Sequence, residues 1–461
     1  MAIRGDKTQQ NAALLVAVVS SFLTPFMTAA LNIALPAIGA EYRLDAGMLG
    51  WVTIAYSLAA AIFLVPFGKL SDMAGRKRVF LVGISVFTLS SALTPAMPTA
   101  ALLIAARILQ GLGAAMIFST SIAILAAYFP SGERGRALGF TIAATYAGLS
   151  AGPFLGGLLV QHLGWRSVFI AAVPLGILSI LLLLWKLGGD WDGAPGGQFD
   201  LAGSLLYGVS LALLMYGLRR LPAAEGAVIA AVGIAGLAAF VWWETRAPNP
   251  ILSVALFVEN RGFALSNLAA LITYTATSAV GFLLSLYLQY VKGFDAKTAG
   301  VVLIAQPVIQ AAFSPLAGRL SDRIEARAVA SGGIGVIIVG LSALAFLGES
   351  SSAAFIIVCQ VLLGLGFALF SSPNMNAIMG SVSRPQHGIA SAMLGTMRVI
   401  GQMSSLAIAT LILALVVGPV QITPERYPAF VEAARITFGV SAVLSAGGIF
   451  ASLARGRINS R

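Results

Sequence analysis

Gly68-Lys-Leu-Ser-Asp-Met-Ala-Gly-Arg-Lys-Arg78 ends the second long apolar run of this 461-residue chain, and a shortened copy, Gly318-Arg-Leu-Ser-Asp322, ends the tenth. Each copy leads into a basic stretch, Arg76-Lys77-Arg78 in one and Arg323 to Arg327 in the other. A motif repeated at such a distance marks an internally duplicated chain. With six runs in each half, the second copy would follow the eighth run. Its place after the tenth puts two extra runs, the seventh and eighth, between the halves. The organisation is therefore an N-terminal six-helix bundle over 1–187, a linker with two inserted helices over 188–262, and a C-terminal six-helix bundle over 263–461.

The runs are about twenty residues long, enough to cross a hydrocarbon core of roughly 30 Å. They follow one another from Ala12 almost to the C-terminus. With 58% hydrophobic and 10% charged residues, the chain has too few polar side chains to cover a soluble globule of its size. The runs lack the period-2 alternation of barrel strands, so the backbone must satisfy itself within helices. The expected fold is an all-α polytopic membrane protein with helices near 12–38, 47–67, 79–96, 99–128, 137–162, 166–187, 200–218, 226–243, 263–290, 298–317, 328–347, 352–380, 388–416 and 432–453. The first run exceeds a signal-peptide core and reads as a helix rather than a removable leader. Gly188 to Gly197, rich in Gly and acidic groups, reads as the linker after the first bundle.

The net charge of +11 sits in the connections, where topology accounts for it, and nucleic acid is excluded as a partner. With both termini cytoplasmic, about 18 Lys and Arg fall inside against about 8 outside, Arg219 and Arg220 being exceptions. Trp51, Trp165, Trp185, Trp242 and Trp243 stand near helix ends, where interfacial anchors belong. The single cysteine, Cys359, excludes an intrachain disulfide and reads as packing. No Gly-x4-Gly-Lys-Ser/Thr stretch occurs, so energy must come from gradients. Neither histidine has an acidic or nucleophilic neighbour at useful spacing, and no embedded carboxylate pair is in view, which argues against an enzyme.

The stretch from Gly68 to Arg78 resembles the signature between helices two and three of major facilitator superfamily transporters. The resemblance implies a cytoplasmic latch formed by Gly68, Asp72, Gly75, Arg76 and Arg78, with Gly318, Asp322 and Arg323 in the second copy. Gly68 and Gly75 would permit a tight turn, and Asp72 would pair with a neighbouring Arg or cap a helix. Arg107-Ile-Leu-Gln-Gly-Leu-Gly-Ala-Ala115 is similar to the fourth-helix motif of the same superfamily. A guanidinium at mid-membrane costs at least roughly 2.5 to 3.5 kcal/mol to insert, so Arg107 should face protein and have a partner; Gln110 shares its face. The alternative is a purely structural arginine bound to carbonyls. Gly148, Gly152, Pro153, Gly156 and Gly157 resemble the antiporter motif of the fifth helix, which implies export by exchange; the plain alternative is a close-packing face.

Trp165 to Phe169, Val173 to Gly176, Glu244, Pro250, Leu256-Phe257, Phe263, Tyr287 to Gln289 and Ser372 to Gly380 extend the resemblance to the fourteen-helix drug:proton antiporter branch, over nearly the whole chain. One departure stands out. That branch carries an Asp in its first helix, and the position here is Met27. All 17 Asp and Glu fall in connections, termini or within a turn of a helix end. Three explanations stay open: Asp45 or Glu41 titrates near the outer mouth, His162 serves instead, or the protein does not couple to protons. Arg107 and Arg398 are the only embedded charges, which suits an anionic or zwitterionic cargo. Candidate cavity residues are Thr28, Asn32, Tyr56, Tyr146, Tyr274, Gln306, Gln310, Asn374, Asn376 and Gln402, each either cavity lining or interhelical glue. Gln306 and Gln310 flank Pro307, where a kink is expected.

The expected function is secondary export of small molecules by alternating access, by proton-coupled antiport, with facilitated passage of organic anions, zwitterions or lipids as the second reading. No cofactor or metal is expected beyond the proton gradient as energy source. The expected partners are membrane lipids and a small-molecule substrate, and the expected state is a monomer in the bacterial cytoplasmic membrane.

Overall fold

The structure, a computed structural model, describes residues 7–129, 133–187, 199–221, 223–252, 254–383 and 386–456. Among them fourteen helices are long and apolar enough to cross a membrane, and there is no strand. They run Lys7–Tyr42, Ala46–Ala74, Arg76–Ala96, Ala100–Ser121, Arg136–Leu163, Arg166–Trp185, Leu201–Arg220, Ala224–Glu244, Arg261–Val291, Ala296–Ser321, Ala326–Leu344, Ala353–Gly380, Ile389–Val416 and Pro424–Ala454, numbered first to fourteenth in that order. The linker from Gly188 to Gly197 lies outside the described residues, as does the side chain of Asp322.

Helix starts are set by short polar side chains that accept from otherwise orphaned backbone N–H groups. Asp45 accepts from Met48 N at 2.7 Å, Asn260 from Phe263 N at 2.9 Å and Asp295 from Thr298 N at 2.7 Å. Within the spans, hydroxyls turn back onto the carbonyl four residues earlier, as in Ser20 to Val16 (2.7 Å) and Thr88 to Ile84 (2.7 Å). This is how polar side chains are carried on helices built for lipid.

One feature differs from the expectation, and the break expected around Pro307 is present. The segment from Gly68 to Asp72 is not a turn: the second helix runs through it to Ala74, and Gly68 is helical. Ser71 Oγ donates to Gly68 O at 2.8 Å within that last stretch. Only Gly75, with φ 97°, takes the left-handed conformation that reverses the chain. The second copy likewise remains helical through Arg323, with Ser321 Oγ on Gly318 O at 2.7 Å. The tenth span is interrupted at Ile304, between Ala296–Leu303 and Ala305–Arg323. Pro307 explains the place of this break, because its ring cannot coexist with a straight helical carbonyl at Leu303.

The chain forms two compact units, one of Met1–Tyr42, Trp51–Leu214 and Ala231–Leu252, the other of Arg43–Gly50, Met215–Ala230 and Ser253–Arg461. The duplication read from the sequence reappears in how each unit is joined internally. In the first unit, Gly83 and Gly113 lie against each other: a Cβ on Gly113 would stand 2.7 Å from Gly83 O. In the second, a Cβ on Gly333 would stand 2.7 Å from Gly366 O. Gly111 abuts Tyr56 O as Gly364 abuts Gln306 O, at 2.2 and 2.4 Å for the added carbon. Gly148 abuts Phe22 O as Gly401 abuts Leu271 O, at 2.4 and 2.8 Å. Helix pairs that meet backbone to backbone need a missing side chain at the crossing, and both units place it at matching helices. The inserted seventh helix lies on the second, with Tyr207 Oη donating to Ala61 O at 3.1 Å, and packs on the eighth through Tyr207 and Phe240.

Candidate functional site

Arg107 is the largest side chain wholly buried in the protein, at 0% exposure. Its Nε donates to Val52 O at 3.2 Å, its Nη1 donates to Gln110 Oε1, and its Cζ lies 4.5 Å above the Tyr56 ring with Phe169 on a further side. Gln110 Nε2 continues to Ser91 Oγ at 2.7 Å, and Ser91 Oγ donates to Phe87 O at 2.7 Å. The charge is therefore held by a carbonyl, an amide and two aromatic faces, with no carboxylate among them. The fourth-helix motif supplies Arg107 and Gln110 three residues apart, and Gly111 lets the second helix approach so that Val52 and Tyr56 reach the guanidinium. In this arrangement the Arg107 side chain is enclosed by protein on every side described. Tyr56, expected as lining, is buried against it.

The fifth-helix glycines form the expected close-packing face. A Cβ would lie 2.4 Å from Phe22 O at Gly148, 2.5 Å from Ala29 Cβ at Gly152 and 2.8 Å from Ala30 Cα at Gly156. Pro153 and Gly157 are buried beside them. The antiporter-type motif is thus a contact with the first helix, the one whose acidic position is Met27, itself 0% exposed. Thr28, Asn32 and Tyr146 are half-buried on these two helices, and Thr28 Oγ1 donates to Thr24 O at 3.0 Å.

At the Gly75 turn, Asp72 accepts from Arg76 Nη2 at 2.8 Å in an exposed pair, and Lys77 Nζ donates to Leu187 O at 2.5 Å. The signature therefore ties the third helix to the end of the sixth. In the second unit, Asn376 Nδ2 donates to Ser321 Oγ at 2.9 Å, joining the twelfth helix to the end of the repeated motif. Asn374 is buried; it donates to Ser266 O at 3.1 Å and accepts from Arg455 Nη1 at 2.9 Å. Both asparagines make hydrogen bonds between helices. Tyr274 packs on Phe367 with centroids 5.8 Å apart; Gln306, Arg398 and Gln402 are half-buried, and Gln310 is buried.

Arg455 was not legible as a buried group, because it follows the last apolar run and reads as the start of a basic tail. It is 4% exposed and also reaches Ser266 Oγ at 3.2 Å. Burial pulls its guanidinium down to about 10, with Glu325 opposing, and it stays charged at neutral pH.

Two of the residues considered as proton carriers make an ion pair and a helix cap. Glu41 accepts from Arg166 through both oxygens, at 2.7 and 2.5 Å, and from Trp165 Nε1 at 2.8 Å, while Arg166 Nε donates to Pro95 O at 3.0 Å. Asp45 caps the second helix and His162 is exposed at the end of the fifth. With both members of the Glu41–Arg166 pair about two-fifths exposed, Glu41→Gln is expected to cost no more than about 1 kcal/mol in thermal unfolding and to leave the pH profile of transport unaltered. A flattened profile would return Glu41 to the coupling role.

The sequence profile of the Major Facilitator Superfamily matches residues 17–205 and 266–458, leaving out the inserted pair except for the start of the seventh helix, and the connection after it. The riboflavin transporter RibZ of Clostridioides difficile is 31% identical over 393 residues, 85% of each chain. The multidrug resistance protein Stp of Mycobacterium tuberculosis is 34% identical over 389 residues, 83% of this chain and 72% of that one. Among solved structures, a bacterial homolog of the human lysosomal transporter Spinster, inward-facing and unoccupied, superposes with a TM-score of 0.70 at 16% identity, covering 99% of this chain and all of that one. With the duplicated helical units and the motif geometry above, these matches make the chain a membrane transport protein, not an enzyme, that belongs to the major facilitator superfamily.

Proposed function

We propose that the protein exports small drug-like molecules or metabolites across the bacterial cytoplasmic membrane by alternating access, in exchange for protons, with both termini in the cytoplasm. The observation that carries this reading is the glycine face of the fifth helix seated directly on the backbone of the first. That contact realises the motif associated with exchange in the fourteen-helix branch. The relatives named for riboflavin transport and for multidrug resistance bracket the cargo between a metabolite and a drug. The excess of Lys and Arg on the Gly75 side supports the orientation.

In inverted membrane vesicles from an efflux-deficient host, an imposed proton gradient is expected to drive uptake of a cargo compound, and adding cargo is expected to dissipate the gradient. Growth of the same host on a toxic-compound array at two external pH values selects the compounds to test. A second reading, passage of anionic or zwitterionic solutes without proton exchange, draws on Met27 at the usual acidic position. Cargo uptake that survives collapse of the gradient would favour it.

A further inference from the structure

Two carboxylates meet at the ends of the inserted helices, Asp200 and Glu244, and none of the roles assigned above accounts for their meeting. Asp200 caps the seventh helix: its Oδ1 accepts from Gly203 N at 2.8 Å, and its Oδ2 accepts from Trp243 Nε1 at 2.8 Å. Glu244, the last residue of the eighth helix, is only 4% exposed, and its Oε2 accepts from Leu252 N at 2.7 Å. Its Oε1 is buried and has no hydrogen-bond donor among the described residues. A Cβ on Gly203 would stand 2.5 Å from Asp200 Oδ2 and 2.8 Å from Glu244 Oε1. The two oxygens are therefore no farther apart than those two distances laid end to end. An acceptor without a donor and a second acceptor both lie within 3 Å of where a side chain on Gly203 would begin.

Two ionised carboxylates cannot share such a place without strong mutual repulsion, and a buried acceptor left without a donor adds to the cost. One proton removes both penalties, because it turns the orphan oxygen into a donor aimed at its neighbour. The two groups are not equivalent. Asp200 receives donors on both oxygens, whereas Glu244 receives none on Oε1. We propose that Glu244 and Asp200 form a proton-binding pair, with the proton on Glu244 Oε1 and donated to Asp200 Oδ2.

The charged groups that act on Glu244 are Asp200 and Lys69, the second residue of the signature stretch. Binding the proton ties the ends of the inserted helices together. Losing it leaves an anion that Asp200 repels and Lys69 attracts, so the end of the second helix senses whether the pair is loaded. This site stands independently of the cargo and of the coupling proposed above.

Full-length protein in detergent, melted between about pH 5.5 and pH 9, tests the pair. A folded state that holds a proton the unfolded chain releases loses stability as the pH rises. The wild-type melting temperature is expected to fall by several degrees over that range. Glu244→Gln, whose amide can donate to Asp200 in place of the hydroxyl, is expected to keep its low-pH value throughout. Lys69→Met is expected to move the fall to higher pH. In infrared difference spectra between the two limits, the C=O band of a protonated carboxyl should disappear at high pH in the wild type and be missing from Glu244→Gln. If Glu244→Gln does not accumulate, Asp200→Asn, which keeps the helix cap, should shift the loss of that band to lower pH. The proposal is overturned if Glu244→Gln melts with the wild-type pH profile, if the band survives in it, or if the band is unmoved by Asp200→Asn. It is equally overturned if sodium or potassium at fixed pH raises the wild-type melting temperature and Glu244→Gln abolishes that rise, since a metal cation would then hold the pair.

Discussion

Gly148→Leu is expected to prevent the protein from accumulating in folded form, while Gly139→Ala, nine residues earlier on the same helix, leaves it intact or slightly more stable. The contrast follows from what each added carbon meets. At Gly148 it would stand 2.4 Å from the carbonyl oxygen of Phe22 and 3.2 Å from Phe26 N, both backbone atoms that no rotamer change can move aside. At Gly139 nothing lies within 4 Å. Alanine at position 148 must push the first and fifth helices apart and is expected to cost about 1–3 kcal/mol, the usual range for overpacking. Leucine adds three further carbons to the same contact. At Gly139 the substitution relieves the backbone entropy of glycine and should gain up to about 1 kcal/mol. Melting temperatures of the three variants in detergent, with size-exclusion profiles, decide the matter. A Gly148→Ala protein as stable as Gly139→Ala would mean that the first and fifth helices do not touch at this glycine.

The same helix shows why part of the molecule was legible in the sequence and part was not. Apolar runs long enough for lipid leave the backbone one way to satisfy itself, so fourteen helices could be counted from hydropathy alone. Glycines spaced by four beside a proline name a close-packing face, and the face is there; which helix it packs against is a matter of tertiary arrangement and only the structure supplies it. Gly68 was misread because Gly, Ser and Asp together resemble a turn. Ser71 instead bonds back to Gly68 O and the helix continues to Ala74, leaving the reversal to Gly75 alone. Sequence records Asp45 and Glu41 as carboxylates near a mouth but not the Met48 N–H or the Arg166 fork that engages them. Asn374 and Asn376 are two residues apart and look alike in sequence, yet helical geometry turns one into the core toward Arg455 and the other outward to Ser321. Glu244 and Asp200 are far apart in the chain, and their meeting depends on the hairpin between the seventh and eighth helices.

Arg107 separates stability from function most sharply. Arg107→Ala removes the group between Val52 O, Gln110, Tyr56 and Phe169 and leaves a void where the largest fully buried side chain stood. The expected loss is about 3–5 kcal/mol, as for other large-to-small changes in a packed core. Arg107→Met fills most of the void but strands Gln110 Oε1 and Val52 O, for about 1–3 kcal/mol. Adding Gln110→Leu removes one stranded group, and Ser91 keeps its own bond to Phe87 O. The double variant is expected to return to within about 1 kcal/mol of the wild type, since an apolar replacement of a buried polar network is often nearly neutral. A guanidinium in this place costs at least roughly 2.5 to 3.5 kcal/mol to insert, so packing alone does not account for its presence. The folded double variant is therefore expected to fail in the vesicle assay. Cargo movement at the wild-type rate by that variant would reduce Arg107 to a packing element and would move the search for the functional charge to Arg398.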